Sequence, residues 1–285
     1  RLGLVTPPVL PFVLLSYSSY SSYSSYSSYS SYSSYPLSSM EQFLLFVLVG
    51  FIAQMIDGIL GMAYGVSATT FLLSFGVPPA IASASVHAAE VVTTGVSGIS
   101  HHMFGNVDRT IVRRLLIPGV AGAIAGAYLL TSFPGEVIRP WIAGYLLIMG
   151  MIIVSKAIVR PREQPKEVKD QALVPLGLAG GFFDAAGGGG WGPIVVGTLL
   201  ARGNAPRKTI GSVNAAEFFV TVAASITFVL TIGLSFWPAI AGLAIGGAIA
   251  APLAGWAVSR VPARPLLAVV GVLVIVLSLR TIVLG

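Results

Sequence analysis

Long apolar runs separated by short polar loops form the main pattern of the chain after residue 40. Residues 140–158 and 266–284 are the clearest examples, and each is nearly free of charge. A helix needs about 20 consecutive apolar residues to cross a hydrocarbon core, and both runs come close to that length. The pattern therefore predicts an all-α integral membrane protein with several spans.

Composition supports this class and narrows the place where function can lie. Only 9% of the residues are charged and 55% are hydrophobic, whereas roughly a quarter of a soluble domain is charged. The net charge of +6 falls in short loops, where basic residues set membrane topology, so we expect no nucleic-acid partner. Cysteine is absent, which excludes disulfides, thiolate chemistry and cysteine-ligated metal. With no room for a soluble catalytic domain, function is expected in the helix bundle.

Residues 1–39 differ from the rest of the chain. Residues 16–35 repeat Ser-Ser-Tyr with a three-residue period that fits neither a helix nor a strand, and residues 2–15 are apolar with three prolines. Biased segments of this kind usually build no core. We treat residues 1–39 as a low-complexity segment outside the core; a leader, an added segment and a short helix all remain open for its beginning.

An internal repeat organises the remainder. Residues 57–94 align without gaps onto residues 184–221, at an offset of 127. The matched pairs include Asp57 with Asp184, Gly61 with Gly188, Gly65 with Gly192, Pro79 with Pro206, Ser85 with Ser212, Glu90 with Glu217 and Thr94 with Thr221. Apolar composition alone would not align the rare acids. We predict a first membrane repeat over 40–159, a cytoplasmic linker over 160–171 and a second repeat over 172–285.

Each repeat is predicted to contain five helical segments, two of them short or re-entrant and broken by glycine. In the first repeat they lie near 43–57, 62–75, 80–100, 115–131 and 140–158. Basic residues cluster in loops 109–114, 156–169, 202–208 and 260–264, while loops 75–83 and 231–237 carry no charge. Placing basic loops in the cytoplasm gives the two repeats inverted topology. The alternative is a parallel duplication with four crossings per half, which would put loop 202–208 outside.

Inverted repeats with glycine-interrupted segments at matching positions are typical of secondary transporters. The glycine-rich stretch 184–193 cannot form an ordinary helix interior, because each glycine costs about 1 kcal/mol relative to alanine. Its free amides, followed by a helix N-terminus at Pro193, are predicted to cradle an anion. The alternative is close packing of small residues between membrane helices.

The third segment of each repeat carries a polar face. His87, Glu90 and Thr94 stand at i, i+3 and i+7, with Asn214, Glu217 and Thr221 in the equivalent positions. Ionisable groups inside a span are a functional-site hypothesis by default; the alternative is that each glutamate only holds two helices together. Asp57 and Asp184 stand where a helix is expected to break, so either could simply cap free amides. Three histidines without cysteine make a weak case for zinc, and no metal or cofactor is predicted.

The chain resembles the TauE/SafE family of sulfite exporters over residues 43–284. The resemblance rests on the glycine-containing stretches that begin at Asp57 and Asp184, on the run Ser212-Val-Asn-Ala-Ala-Glu217 and on the duplication. The resemblance implies a bacterial inner-membrane permease that exports sulfite, sulfoacetate or a related organosulfur anion. The family's motifs map onto Asp57, Gly61, Gly65, Asp184, Gly188, Gly192, Ser212, Asn214 and Glu217. Where the second repeat has Asn214 the first has His87, so the two halves of a site need not be equivalent.

The sequence thus predicts a multi-pass secondary transporter that exports a small sulfur-containing anion by alternating access, and not an enzyme. Predicted substrate contacts are Gly61, Tyr64, Gly65, Ser85, His87, Gly188, Gly189, Gly190, Trp191, Gly192, Ser212 and Asn214. Asp57, Glu90, Asp184 and Glu217 are predicted to support coupling or the helix breaks. Protons are a possible coupling partner, and the lipid bilayer is the surrounding partner. A passive anion channel and an intramembrane enzyme using the buried acids and His87 are the rival hypotheses.

Overall fold

A computed structural model describes residues 39–158, 172–233, 236–257 and 262–284. The Ser-Ser-Tyr segment and the predicted linker 160–171 lie outside these ranges. Within them the backbone forms helices and turns, and no strand occurs. The all-α class predicted from the sequence is confirmed for the part of the chain that the structure describes.

The described ranges contain ten α-helices and one π-helical turn. In chain order they are α1 Ser39–Leu60, α2 Tyr64–Ser74, α3 Pro79–Met103, α4 Arg109–Thr131, α5 Gly135–Ile158, α6 Leu173–Gly187, a π-helical turn Gly192–Val196 leading into α7 Gly197–Ala201, α8 Pro206–Ile232, α9 Trp237–Ala257 and α10 Ala263–Leu284. Six of them, α1, α4, α5, α8, α9 and α10, are long and apolar enough to cross a membrane. The fold is therefore that of a multi-pass membrane protein.

The starts of two helices in the first half recur 127 residues later in the second half. The short helix α2 begins at Tyr64, and the π-helical turn follows Trp191, which is 191 − 64 = 127 residues later. Helices α3 and α8 begin at Pro79 and Pro206, again 206 − 79 = 127 apart. Proline suits the first turn because its missing amide has no partner there. Each half consequently has a short helix followed by a long one at the same positions.

Glycines let helices of opposite halves approach closely. Helix α1 packs on α9, and α6 packs on α4. A Cβ atom at Gly246 would meet the backbone of Val47, and one at Gly181 would meet the backbone of Gly119. Small residues at such contacts are the usual means by which membrane helices associate, because lipid supplies no hydrophobic drive between them.

Equivalent helices of the two halves cross in opposite directions. On α3 and α8, Thr94 lies beside its counterpart Thr221, at 3.5 Å between the hydroxyl oxygens, and Gly98 lies against Ala215. The numbering rises along α3 as it falls along α8, so the two helices are antiparallel. Helices α5 and α10 behave alike, since Gly150 packs against Ile275 and Val154 packs against Gly271.

Candidate functional site

Two breaks in the helices lie at the centre of the bundle. The first separates α1 from α2, and Gly61 there has φ 68° while Ala63 has φ 89°. The second separates α6 from the π-helical turn, with Gly188 at φ 73° and Gly189 at φ 148°. These left-handed conformations suit glycine because it has no Cβ. Ala63 is the only non-glycine residue with positive φ in the described ranges, so the first break carries local strain.

The two breaks face each other across the bundle. A Cβ atom added at Gly65 would lie 2.8 Å from the Cα of Gly189, and one added at Gly192 would lie 2.8 Å from the Cβ of Met62. These contacts are reciprocal, since 65 + 127 = 192 and 62 + 127 = 189. The backbone of each break therefore packs directly on the backbone of the other.

Asp184, at the end of α6, organises the second break. The Trp191 amide donates to its Oδ1 at 2.9 Å, and the Gly189 amide donates to its main-chain oxygen at 2.9 Å. The first break follows the same plan, because the backbone amide of Tyr64 interacts with the Asp57 carboxylate. In this structure the Trp191 amide, which belongs to the stretch predicted to bind an anion, donates to the protein's own Asp184 carboxylate.

Carbonyl oxygens freed by the second break are bound by side chains from other helices. The Thr69 hydroxyl donates to the Gly188 carbonyl, and the Tyr145 hydroxyl donates to the Gly189 carbonyl at 2.8 Å. The Lys156 ammonium donates to the Pro193 carbonyl at 2.6 Å. The sequence analysis missed these three residues. Thr69 stands one turn after Gly65, which is a usable signal, but Tyr145 lies in a plain apolar span. Lys156 was assigned to the basic loop 156–169, whereas it lies in the last turn of α5.

His87 links α3 to α6. Its Nδ1 lies 2.8 Å from the Ser83 carbonyl oxygen, and its Nε2 lies 3.2 Å from Oδ2 of Asp184. A carbonyl oxygen only accepts, so Nδ1 carries a hydrogen and Nε2 faces the carboxylate. The Ser83 hydroxyl in turn donates to the Ala185 carbonyl at 2.7 Å. The pair is fully buried, and it connects the two halves of the molecule.

Glu90 lies one turn further along α3, close to His87 and Asp184. Its side chain is buried, with Oε1 close to Gly65, while Oε2 has no hydrogen-bond partner among the residues that the structure describes. One ligand atom each from His87, Glu90 and Asp184 lies within 4.8 Å of the other two. We call these three residues the central cluster.

The other predicted site residues are distributed around this centre. Asn214 donates to the Ser97 hydroxyl at 2.9 Å, and Glu217 is half-buried one turn further along α8. The hydroxyls of Ser85 and Ser212 donate to carbonyls of their own helices, at Ile81 and Lys208. The structure does not bring these two serines into the central cluster, because each stands two residues before the polar face of its helix.

A groove of about 550 Å³ lies between α3, α8 and the start of α4. Its walls are largely apolar and include Ile99, Met103 and Phe218, and Thr94, one turn from Glu90, also lines it. The basic residues in its lining are His102, Arg109 and Arg113.

The apolar helices and the paired central breaks define a multi-pass membrane protein with polar groups at its centre. Residues 46–281 match the family described as "Sulfite exporter TauE/SafE", and the chain belongs to this family of membrane transporters. Over 251 residues it is 43% identical to "Probable membrane transporter protein YtnM" of Bacillus subtilis (strain 168), an alignment that covers 86% of this chain and 84% of the relative. No solved structure matches the chain. The resemblance found in the sequence is confirmed, and membrane transport is the function class.

Proposed function

We propose that the protein is a secondary transporter that exports a small sulfur-containing anion, such as sulfite, sulfoacetate or a related organosulfonate, across the bacterial inner membrane by alternating access. The observation that carries this proposal is the meeting of the two helix breaks, where Gly65 packs on Gly189. Secondary transporters place their substrate sites near the midplane, where discontinuous helices of two repeats meet.

Inverted repeats form part of the proposal. If the halves are related by a two-fold axis in the membrane plane, equivalent helices must run in opposite directions. The antiparallel crossings of α3 with α8 and of α5 with α10 support this arrangement. Alternating access then consists of one half rocking against the other around the site, as in transporters with this symmetry.

The geometry also suggests how an anion could be accepted and released. Oδ1 of Asp184 accepts the Trp191 amide in this structure, so an anion that binds this amide must displace that one carboxylate oxygen. An incoming sulfonate or sulfite oxygen would then take the Trp191 amide in its place. Asp57, Glu90, Asp184 and Glu217 are proposed to serve in coupling or to support the helix breaks.

Basic residues favour entry of the anion from the cytoplasmic side. His102, Arg109 and Arg113 line the groove beside α3, and basic loops face the cytoplasm by the positive-inside rule. A membrane potential negative inside contributes about 2.3 kcal/mol per charge per 100 mV to anion exit. Export is thus the favoured direction for an anion entering by this groove.

Flux through purified protein in liposomes tests the proposal. The panel is radiolabelled sulfite, sulfoacetate, taurine, thiosulfate and sulfate, measured as uptake and as exchange against unlabelled anion inside. We expect saturable flux and exchange for at least one sulfur anion, with little for zwitterionic taurine. Flux that rises linearly with concentration and lacks exchange would identify a passive channel. Chemical turnover of an anion by protein in detergent would instead identify an intramembrane enzyme.

A further inference from the structure

We propose that His87, Glu90 and Asp184 form a binding site for one divalent first-row transition-metal ion of the Mn²⁺, Fe²⁺, Co²⁺ and Zn²⁺ class. The sequence analysis predicted no metal, because three histidines without cysteine make a weak case for zinc. The structure brings them together at the point where the helix breaks meet.

The backbone places the three donors on one side of a potential ion. His87 and Glu90 stand at i and i+3 on α3, so both side chains leave the same face of the helix. Asp184 comes from the end of α6, and its Oδ2 lies 3.2 Å from the His87 Nε2. Two ligands of one metal with bonds of about 2.1 Å are separated by about this distance. The corresponding atom of Glu90 is within 4.8 Å of both.

The imidazole is already oriented as a metal ligand. Its Nδ1–H is directed to the Ser83 carbonyl, which leaves Nε2 as the donor atom facing the cluster. Metal-binding histidines almost always donate their other ring N–H to a carbonyl or carboxylate in this way. The Asp184 carboxylate is also oriented, because its Oδ1 accepts a hydrogen bond from the Trp191 amide at 2.9 Å.

Charge balance argues for a dication. The carboxylates of Glu90 and Asp184 are buried, and the His87 ring pairs with Asp184 as an ion pair only when it is protonated. A protonated His87 would offset only one of the two negative charges. Buried charges are normally paired or coordinate metals, because an unpaired charge in an apolar interior is very costly. Two carboxylates, a neutral imidazole and a divalent ion sum to zero. The ion would also give the free Oε2 of Glu90 a partner.

The donor set selects the kind of ion. One imidazole and two carboxylates without a thiolate suit Mn²⁺, Fe²⁺, Co²⁺ or Zn²⁺, whereas Mg²⁺ and Ca²⁺ prefer oxygen ligands alone and Cu⁺ prefers sulfur. Three protein ligands leave at least one coordination position open. The site goes beyond the proposed function, because equilibrium binding of the metal is independent of which solute is carried.

Metal analysis of the purified full chain tests the inference. Protein in detergent is stripped with a chelator, incubated separately with Mn²⁺, Co²⁺ and Zn²⁺, desalted, and analysed for metal content. We expect about one ion per chain for at least one metal. In the variants His87→Asn, Glu90→Gln and Asp184→Asn the affinity is expected to fall by tenfold or more, as for lost or disturbed ligands. Glu136→Gln, which changes an exposed carboxylate outside the cluster, serves as the matched control and should bind as wild type.

Two further measurements keep the test decisive if a variant fails to fold. Wild-type protein loaded with Co²⁺ should show visible d–d absorption without thiolate bands, and this absorption should disappear on adding Zn²⁺. Metal should also raise the midpoint of thermal unfolding, since a ligand that binds only the native state stabilises it. A folded wild type that binds none of the three metals, or a folded His87→Asn variant that binds them equally, overturns the inference. Failure of anion flux with intact metal binding would instead count only against the proposed function.

Discussion

At the scale of single residues, Asp184 joins three parts of the molecule. One carboxylate oxygen holds the Trp191 amide and the other faces His87, which belongs to the opposite half. Its backbone oxygen also accepts from Gly189. A residue with these contacts is at once a cap for the broken helix and a member of the central cluster.

Replacing Asp184 by alanine should therefore weaken both the fold and transport. The Trp191 amide and the His87 ring would lose buried partners, at a cost of about 2 kcal/mol or more. Asp184→Asn keeps an acceptor for the amide and should be milder in stability while still impairing flux. Thermal unfolding in detergent and liposome flux would be measured, with exposed Glu136→Ala as the control. Equal stability of Asp184→Ala and wild type would show that the amide contact contributes nothing.

The pairing of His87 with Asp184 could not have been predicted from sequence. The two residues are 97 positions apart, and their counterparts do not form the same pair, because Asn214 donates to Ser97. Repeat alignment identified every acid in the site but not which of them meet. That information depends on how the halves cross, which is a tertiary property.

At the scale of elements, the breaks matter because they let two backbones touch. The prediction of broken segments from glycine content gave their positions well, with α2 beginning at Tyr64 and the π-helical turn following Trp191. The start of α5 was predicted too late. Pro140 lies inside this helix, which begins at Gly135. As the sixth residue of the helix, it removes one backbone hydrogen bond, the one that the Glu136 carbonyl would accept.

Gly65→Ala should disturb this backbone contact directly. The new Cβ would lie 2.8 Å from the Cα of Gly189, and backbone cannot rotate away as a side chain can. Overpacking of this kind costs about 1–3 kcal/mol, and flux should fall because the breaks are pushed apart. Gly144→Ala on α5 is the matched control, with no atom within 4 Å of its Cβ position. Normal flux and stability in Gly65→Ala would show that the breaks do not need this close approach.

At the scale of the whole molecule, the proposed inversion fixes which loops share a side of the membrane. The chain has no cysteine, so single cysteines can be introduced without first removing native ones. Phe75 immediately follows α2 and Arg202 immediately follows α7. The two positions are equivalent, because 202 − 75 = 127. An inverted repeat places these two residues on opposite faces.

Labelling with a membrane-impermeant maleimide tests this topology. Phe75→Cys should react in intact cells or spheroplasts, and Arg202→Cys should react only after the membrane is opened. Each variant is its own control through labelling in detergent, where both should react. Labelling of both positions from the same side would contradict inversion and support the parallel duplication that loop charge alone left open.

The contact between His87 and Asp184 has a consequence for the relative free energies of the two arrangements in the proposed transport cycle. In a bundle with two identical halves, exchanging their roles would convert the inward-facing arrangement into the outward-facing one at no cost in free energy. Here His87 of the first half contacts Asp184 of the second half, whereas its counterpart Asn214 donates to Ser97 instead. Under the proposed alternating access, the two arrangements would then differ in free energy, and a single side chain would give the empty protein a preferred resting side.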